Sequence, residues 1–224
     1  MLNCKSQVAP DRSDVLSWRA AYGENTDARE VGKILESQSK LPKWQSKKLY
    51  RGVSEAMTNV SQHAYLDSGR DGLDFANEKG WWMFCREDDE HIFVAFCDLG
   101  IGIPETLPRT QDQSLLNALL EKLFGVGKLT DGALIKAAIE IKRSRTQKRH
   151  RGKGLLDMLK AIEMIQGGRL SILSNRGGYT YILNNSGREE VKTFKRSILG
   201  TLILWTIPLQ KPAESNYDQS EQYH

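Results

Sequence analysis

Apolar and polar positions change period along the chain. Between Leu41 and Tyr65, the residues Val53, Ala56, Met57, Val60 and Ala64 recur close to i, i+3, i+4, i+7. That stripe predicts one long helix over 41–65, with Pro42 near its start. The run DSGRDGLD after it predicts a loop. Two short apolar runs follow, GWWMFCRE and HIFVAFCDL, joined by the charged DDE. They predict two strands, the second a central one because its apolar run is unbroken. The segment 104–151 reads as one or two helices ending in a basic stretch, and GLLDMLKAIEMI as an amphipathic helix entered from a glycine-rich turn. GRLSILSN, GGYTYILNN and GTLILWTIPL predict three further strands, while REEVKTFKR between the last two is ambiguous. Residues 13–36 carry a weak helical pattern, and 1–12 and 211–224 are polar and loose. Two groups of strands with helices between them predict an α+β fold, a two-layer α/β sandwich.

Composition narrows this picture. With 224 residues the chain can bury a real core, enough for one domain with room for an appended element. A formal charge of +4 is too weak by itself to imply nucleic acid. Cys4, Cys85 and Cys97 are odd in number and form no C-x-x-C pair, which argues against a disulfide framework or a cysteine zinc site and for the reducing cytoplasm. No apolar secretory core opens the sequence, and no window approaches the ~18 apolar residues of a membrane span.

Four stretches carry candidate chemistry. On the long helix, Glu55, Asn59 and His63 stand at four-residue intervals, drifting only ~40° per step, in a polar stripe away from the apolar one. A solvated face would look the same. A ligand using all three would find a carboxylate able to act as general base and an amide oxygen suited to Mg²⁺. At the end of the central strand, CDLGIGIPE places Asp98 before Gly100 and Gly102. A plain turn explains this, but an ionised Asp is acceptor-only and can read an amino group such as that of adenine, with glycines letting the backbone approach. In RHRGKGLLDML, Gly152 and Gly154 precede a helix whose free N–H groups could hold phosphate. Lys142, Arg143, Arg145, Lys148, Arg149, Arg151 and Lys153 surround them with no acid between, as a solvated basic loop or an anion site. Last, Gly200 and Thr201 open the final strand, where a threonine hydroxyl could support an Asp on a neighbouring strand. GVGKLT around Lys128 is not a P-loop: Leu129 stands where Ser or Thr is needed, and Lys122 where the first Gly is needed.

The order of these stretches, E-x-x-x-N-x-x-x-H, D-x-G-x-G-I, G-x-G-L and G-T, resembles the GHKL superfamily of gyrase, MutL, histidine kinases and anti-sigma serine kinases, over roughly residues 40–209. The helix around EAMTNVSQH looks most like that of the anti-sigma serine-kinase group. The resemblance implies a Bergerat ATP-binding fold, a mixed sheet with helices on one face. It implies ATP and Mg²⁺ as ligands, with Asn59 on the metal and Glu55 as general base. Nucleotide would be held by Asn59, His63, Asp98, Gly100, Gly102, Ile103, Arg151, Gly152, Lys153, Gly154, Leu155 and Thr201. Domain expectations are a helical extension over 1–40, the ATP-binding domain over 41–209 with a mobile lid over 104–151, and a tail over 210–224. His63, His91, His150 and His224 include no phosphoacceptor context, and no residues remain for a transducer domain. The expected function is therefore a stand-alone cytoplasmic switch acting on a regulatory partner protein, STAS-like or sigma-factor-like, by Ser/Thr phosphotransfer or ATP hydrolysis, with a homodimer compatible. The rival is an accessory ATPase that binds nucleic acid through 142–153.

Overall fold

The computed structural model describes residues 17–38, 40–66, 79–125, 129–145, 159–160, 162–163, 167–183 and 187–209, with backbone alone at 142, 144 and 145. The chain runs β1 (Arg19–Gly23), α1 (Arg29–Glu36), α2 (Lys43–Asn59) with a π-helical turn over Val60–Ala64, then β2 (Trp81–Glu87) and β3 (His91–Asp98). Three helices follow, α3 (Ile103–Thr110), α4 (Gln113–Phe124) and α5 (Asp131–Arg145). The strands β4 (Gly168–Ser174), β5 (Gly177–Leu183), β6 (Arg188–Thr193) and β7 (Thr201–Pro208) complete an α+β fold.

One seven-stranded sheet, ordered β1-β2-β3-β7-β4-β5-β6, organises the molecule. Every neighbouring pair is antiparallel. This corrects the expectation of a mixed sheet. A helical crossover from β3 to β4 does leave those two strands running the same way, as such a connection requires. They never pair, because β7 inserts between them, antiparallel to both.

Side chains alternate across the sheet, and one face makes the core. Met83, Val94, Phe96, Leu170, Ile172, Ile203 and Trp205 point inward against Leu49, Val53 and Met57 of α2 and Ile135 and Ile139 of α5. A buried cluster of this kind is the main stabilising term of a two-layer fold, at about 1.5–3 kcal/mol for each fully buried large apolar side chain.

Two expectations are overturned by this core. Residues 13–36 read as weakly helical; α1 bears this out over Arg29–Glu36, yet RAAYG forms β1 and pairs residue by residue with β2. The helical propensity of two alanines is weak against an edge ladder plus the burial of Ala21 and the packing of Tyr22 on Trp82, 5.4 Å between ring centres. With Val31 and Leu35 of α1 fully buried in the same core, this span is built into the domain rather than appended to it as a helical extension. Nor do the described residues of 104–151, which are 104–125 and 129–145, form one lid. Leu107, Leu116, Leu120, Leu134 and Ala138 form a second cluster that joins α3, α4 and α5, and α5 seats Ile135 and Ile139 in the main core. Asp131 accepts the Arg176 N–H at 2.9 Å, and Arg143 bridges Glu140 (2.7 Å) and Glu189 (2.8 Å), fastening both ends of α5 to the sheet. Such a helix is part of the scaffold.

Candidate functional site

The end of β3 is held by an interlocking set of hydrogen bonds. Asp98 is buried, sits opposite Thr201 of β7 in the register, and accepts the Gly100 N–H at 2.9 Å. Burial pushes its carboxyl up to about 6; the Gly100 N–H and the hydroxyl and backbone of Thr201 pull the other way without cancelling it. Ser174, fully buried at the end of β4, lies 3.1 Å from the Thr201 hydroxyl, 3.1 Å from the Gly200 carbonyl, and accepts the Ile103 N–H at 2.9 Å. Ser174 can give its one hydroxyl proton to the Gly200 carbonyl or to Thr201, whose own hydroxyl bonds Asp98. When ionised, Asp98 is purely an acceptor.

Asn175 closes the arrangement. Its amide donates to the Ile101 carbonyl at 2.9 Å, while its backbone N–H reaches the Gly200 carbonyl at 3.1 Å. The two glycines of the loop are needed for these close approaches. A Cβ on Gly100 would lie 2.3 Å from the Ala64 carbonyl oxygen, and one on Gly102, at φ +82°, would meet Ser174 and Asn175 at 2.8 Å. The loop thus sits directly on the π-helical turn that ends α2, where the Ile101 N–H donates to Ala64 at 2.8 Å. Such π turns often mark functional positions.

Above this floor opens a pocket of about 810 Å³, open solvent at its mouth included. Six of the residues singled out in the sequence line it: Asn59, His63, Asp98, Gly102, Ile103 and Thr201. They come from α2, the end of β3, the start of α3 and β7. Its walls are otherwise mostly apolar, with Val60, Phe96, Leu107, Ile141 and Ile203 among them, and α3 adds the polar Thr106, Thr110 and Gln111. A flat heterocycle that presents an amino group to Asp98 fits this chemistry: apolar faces, one buried acceptor, one adjacent hydroxyl. Asn59, whose amide carries one oxygen and one NH₂ group, stands on the same wall. Among the described residues no group of three His, Cys, Asp or Glu could hold a metal by itself. Mg²⁺ bound mainly through phosphate oxygens and water needs only one such side chain.

Gly100 stands behind the wall, and Glu55, half-buried one turn before Asn59, is not brought to the pocket lining. Arg151, Gly152, Lys153, Gly154 and Leu155 lie outside the described residues. Sequence reasoning missed Ser174 and Asn175, as well as Thr106, Leu107, Thr110 and Gln111 on the α3 wall. The one available signal was the Ser-Asn pair ending GRLSILSN, where Asn175 adopts φ +51°, a conformation asparagine tolerates. No family model matches the chain, and no curated protein does. Among the described residues no helix is long and apolar enough to cross a membrane.

Proposed function

We propose that this pocket is an ATP–Mg²⁺ site of GHKL type in a Bergerat-like sandwich. The observation that carries the reading is the buried carboxylate of Asp98, braced by Thr201 and Ser174, at the floor of a pocket that also presents Asn59. The adenine amino group donates to Asp98, and Thr201 supports the acceptor. Asn59 is the protein ligand of Mg²⁺, which neutralises phosphate charge when bound. Gly152 and Gly154, with Arg151 and Lys153, match the phosphate-holding glycine box by sequence. Glu55, next along the polar stripe, is the general base toward water or toward a partner's hydroxyl. The chain is then a regulatory switch on a partner protein, STAS-like or sigma-factor-like, working by Ser/Thr phosphotransfer or by hydrolysis. The nucleic-acid reading is weakened by the engagement of Arg143 with Glu140 and Glu189, which removes it from the basic stretch.

Titration calorimetry with ATP and Mg²⁺ tests this directly. Saturable one-to-one binding is expected, with phosphate release or phosphotransfer appearing when a candidate partner is added. No binding at millimolar nucleotide contradicts the reading.

A further inference from the structure

The exposed face of α2 carries charge without counter-charge. Between Glu36 and Glu55 the chain has no acidic residue, and Lys43, Lys47, Lys48 and Arg51 all stand on α2. At about 100° per residue they fall within one arc of about 140°, opposite the buried Leu49, Val53 and Ala56. The ends of the row, Lys43 and Arg51, are about 12 Å apart along the helix axis. Trp44, 45% exposed, lies inside this arc, and Tyr50, 38% exposed, lies at its edge and rests against Gly32 of α1. Neighbouring cations are neutralised within the fold: Arg29 by Asp27, Lys33 by Glu30 and Lys40 by Asp89. Among the described residues, none of the four cations on α2 has an ion-pair partner.

This row costs stability and returns no internal contact. Lys43–Lys47 and Lys47–Arg51 are like charges at i, i+4, and Lys48–Arg51 at i, i+3, so each pair repels. Lys43 opens the helix and Lys47 follows one turn on, where the helix dipole disfavours cations and no side chain caps the free N–H groups. Local rules broken together on one surface mark a place where a ligand offsets the cost. We propose that this face of α2 binds single-stranded nucleic acid, with the four cations meeting backbone phosphates and with Trp44 and Tyr50 stacking on unpaired bases.

The rings select this partner over other polyanions. Cations alone would suit an acidic protein, an anionic lipid surface or a duplex. An acidic protein surface gives Trp44 and Tyr50 no run of flat faces, and a duplex keeps its base faces stacked inside. The apolar side of α2 is buried against the sheet, so the helix cannot lay it into a bilayer surface. Unpaired bases offer one flat face after another, and a cationic track beside aromatic side chains is how sequence-tolerant binding of single strands is built. Counterion release then sets the salt dependence: log K falls by about 0.7 per unit of log[salt] for each phosphate met, a slope of about −2.8 for four. This inference does not use residues 142–153 and does not rest on nucleotide binding.

Fluorescence anisotropy of a labelled oligo(dT) of about 15 nucleotides, titrated with the full chain over a series of salt concentrations, tests this. Saturable binding is expected, with a slope of about −2.8 and at least about tenfold preference over an oligo(dT)·oligo(dA) duplex of the same length. Lys47→Gln combined with Arg51→Gln is expected to halve the slope, to about −1.4, while Trp44→Ala weakens binding at least about tenfold and leaves the slope as it was. All three side chains are exposed, and circular dichroism checks that the variants fold. Should the double variant unfold, Trp44→Ala decides together with Lys43→Gln, whose expected slope is about −2.1. A wild type that binds no oligonucleotide at about 100 µM protein in low salt overturns the proposal. So does binding that these substitutions leave unchanged, or equal affinity for the duplex. Polyglutamate or phosphatidylserine vesicles that displace the probe as well as unlabelled oligo(dT) does, at equal charge, also overturn it and assign the face to an acidic protein or a lipid surface.

Discussion

The floor and the wall of the pocket are built on different principles. At the floor, Asp98, Thr201, Ser174 and Asn175 are all buried and hold one another through hydrogen bonds. On the α2 wall, Glu55, Asn59 and His63 are half-buried side chains on a single helix. The floor's acceptor is held by the Gly100 N–H and by Thr201 before any ligand arrives. The floor therefore carries a buried acceptor suited to recognition, and the wall carries an amide, a carboxylate and an imidazole suited to metal and proton chemistry. The contrast teaches that binding and turnover should separate under mutation.

The largest expected effect tests that separation. Glu55→Ala should lower phosphate release or phosphotransfer by about 10²–10⁴-fold and leave ATP affinity unchanged, because a general base does not hold adenine. Retained turnover removes Glu55 from the chemistry, in keeping with its absence from the pocket lining.

Next comes pH. The carboxyl of Asp98 is raised from 3.8 to about 6 by burial, so the folded protein keeps a proton that the unfolded chain has lost between those values. Its contribution is therefore lost as pH rises through about 4 to 6, at about 1.4 kcal/mol per pH unit and about 3 kcal/mol in all. Compared with Asp98→Asn across pH 4–7, the wild type should lose ground by that order, measured by urea unfolding without nucleotide. A parallel pair of curves contradicts the buried-acid account. In the same window ATP affinity of the wild type should rise with pH, since the amino group needs the ionised form.

Ser174→Ala removes the hub that receives the Ile103 N–H and braces Thr201. A cost of about 1–3 kcal/mol is expected, read by the midpoint of unfolding. The smallest effect belongs to the wall: Asn59→Ala should weaken ATP several-fold with Mg²⁺ present and hardly at all in EDTA, seen by fluorescence titration. Equal weakening in both would make Asn59 a contact to nucleotide rather than to metal.

How legible all this is depends on where chemistry meets pattern. β2, β3 and β7 announce themselves because each carries long apolar runs ending at a polar residue or glycine, and Asp98 and Thr201 stand at just such ends. β1 hides, since two alanines in RAAYG favour helix until the neighbouring strand is in place. β6 hides because five of its six residues, Arg188, Glu189, Glu190, Lys192 and Thr193, are polar, as suits an exposed edge strand. Ser174 and Asn175 are common turn residues whose role appears only when β7 brings Gly200 alongside them. The long helical stretch after Asp98 also misleads: α5 has no clear amphipathic period because it is buried on two sides, by the sheet and by α3 and α4.

The central claim, that Asp98 reads an adenine amino group, meets its most direct test in a two-by-two calorimetric titration of wild type and Asp98→Asn with ATP and with ITP, which carries a carbonyl oxygen in place of that amino group. The wild type is expected to prefer ATP at least about tenfold, the worth of one buried charge-assisted hydrogen bond, and Asp98→Asn to bind ATP that much more weakly and lose the preference. Equal affinity for the two nucleotides in the wild type, or an Asp98→Asn protein that binds ATP as the wild type does, would contradict it.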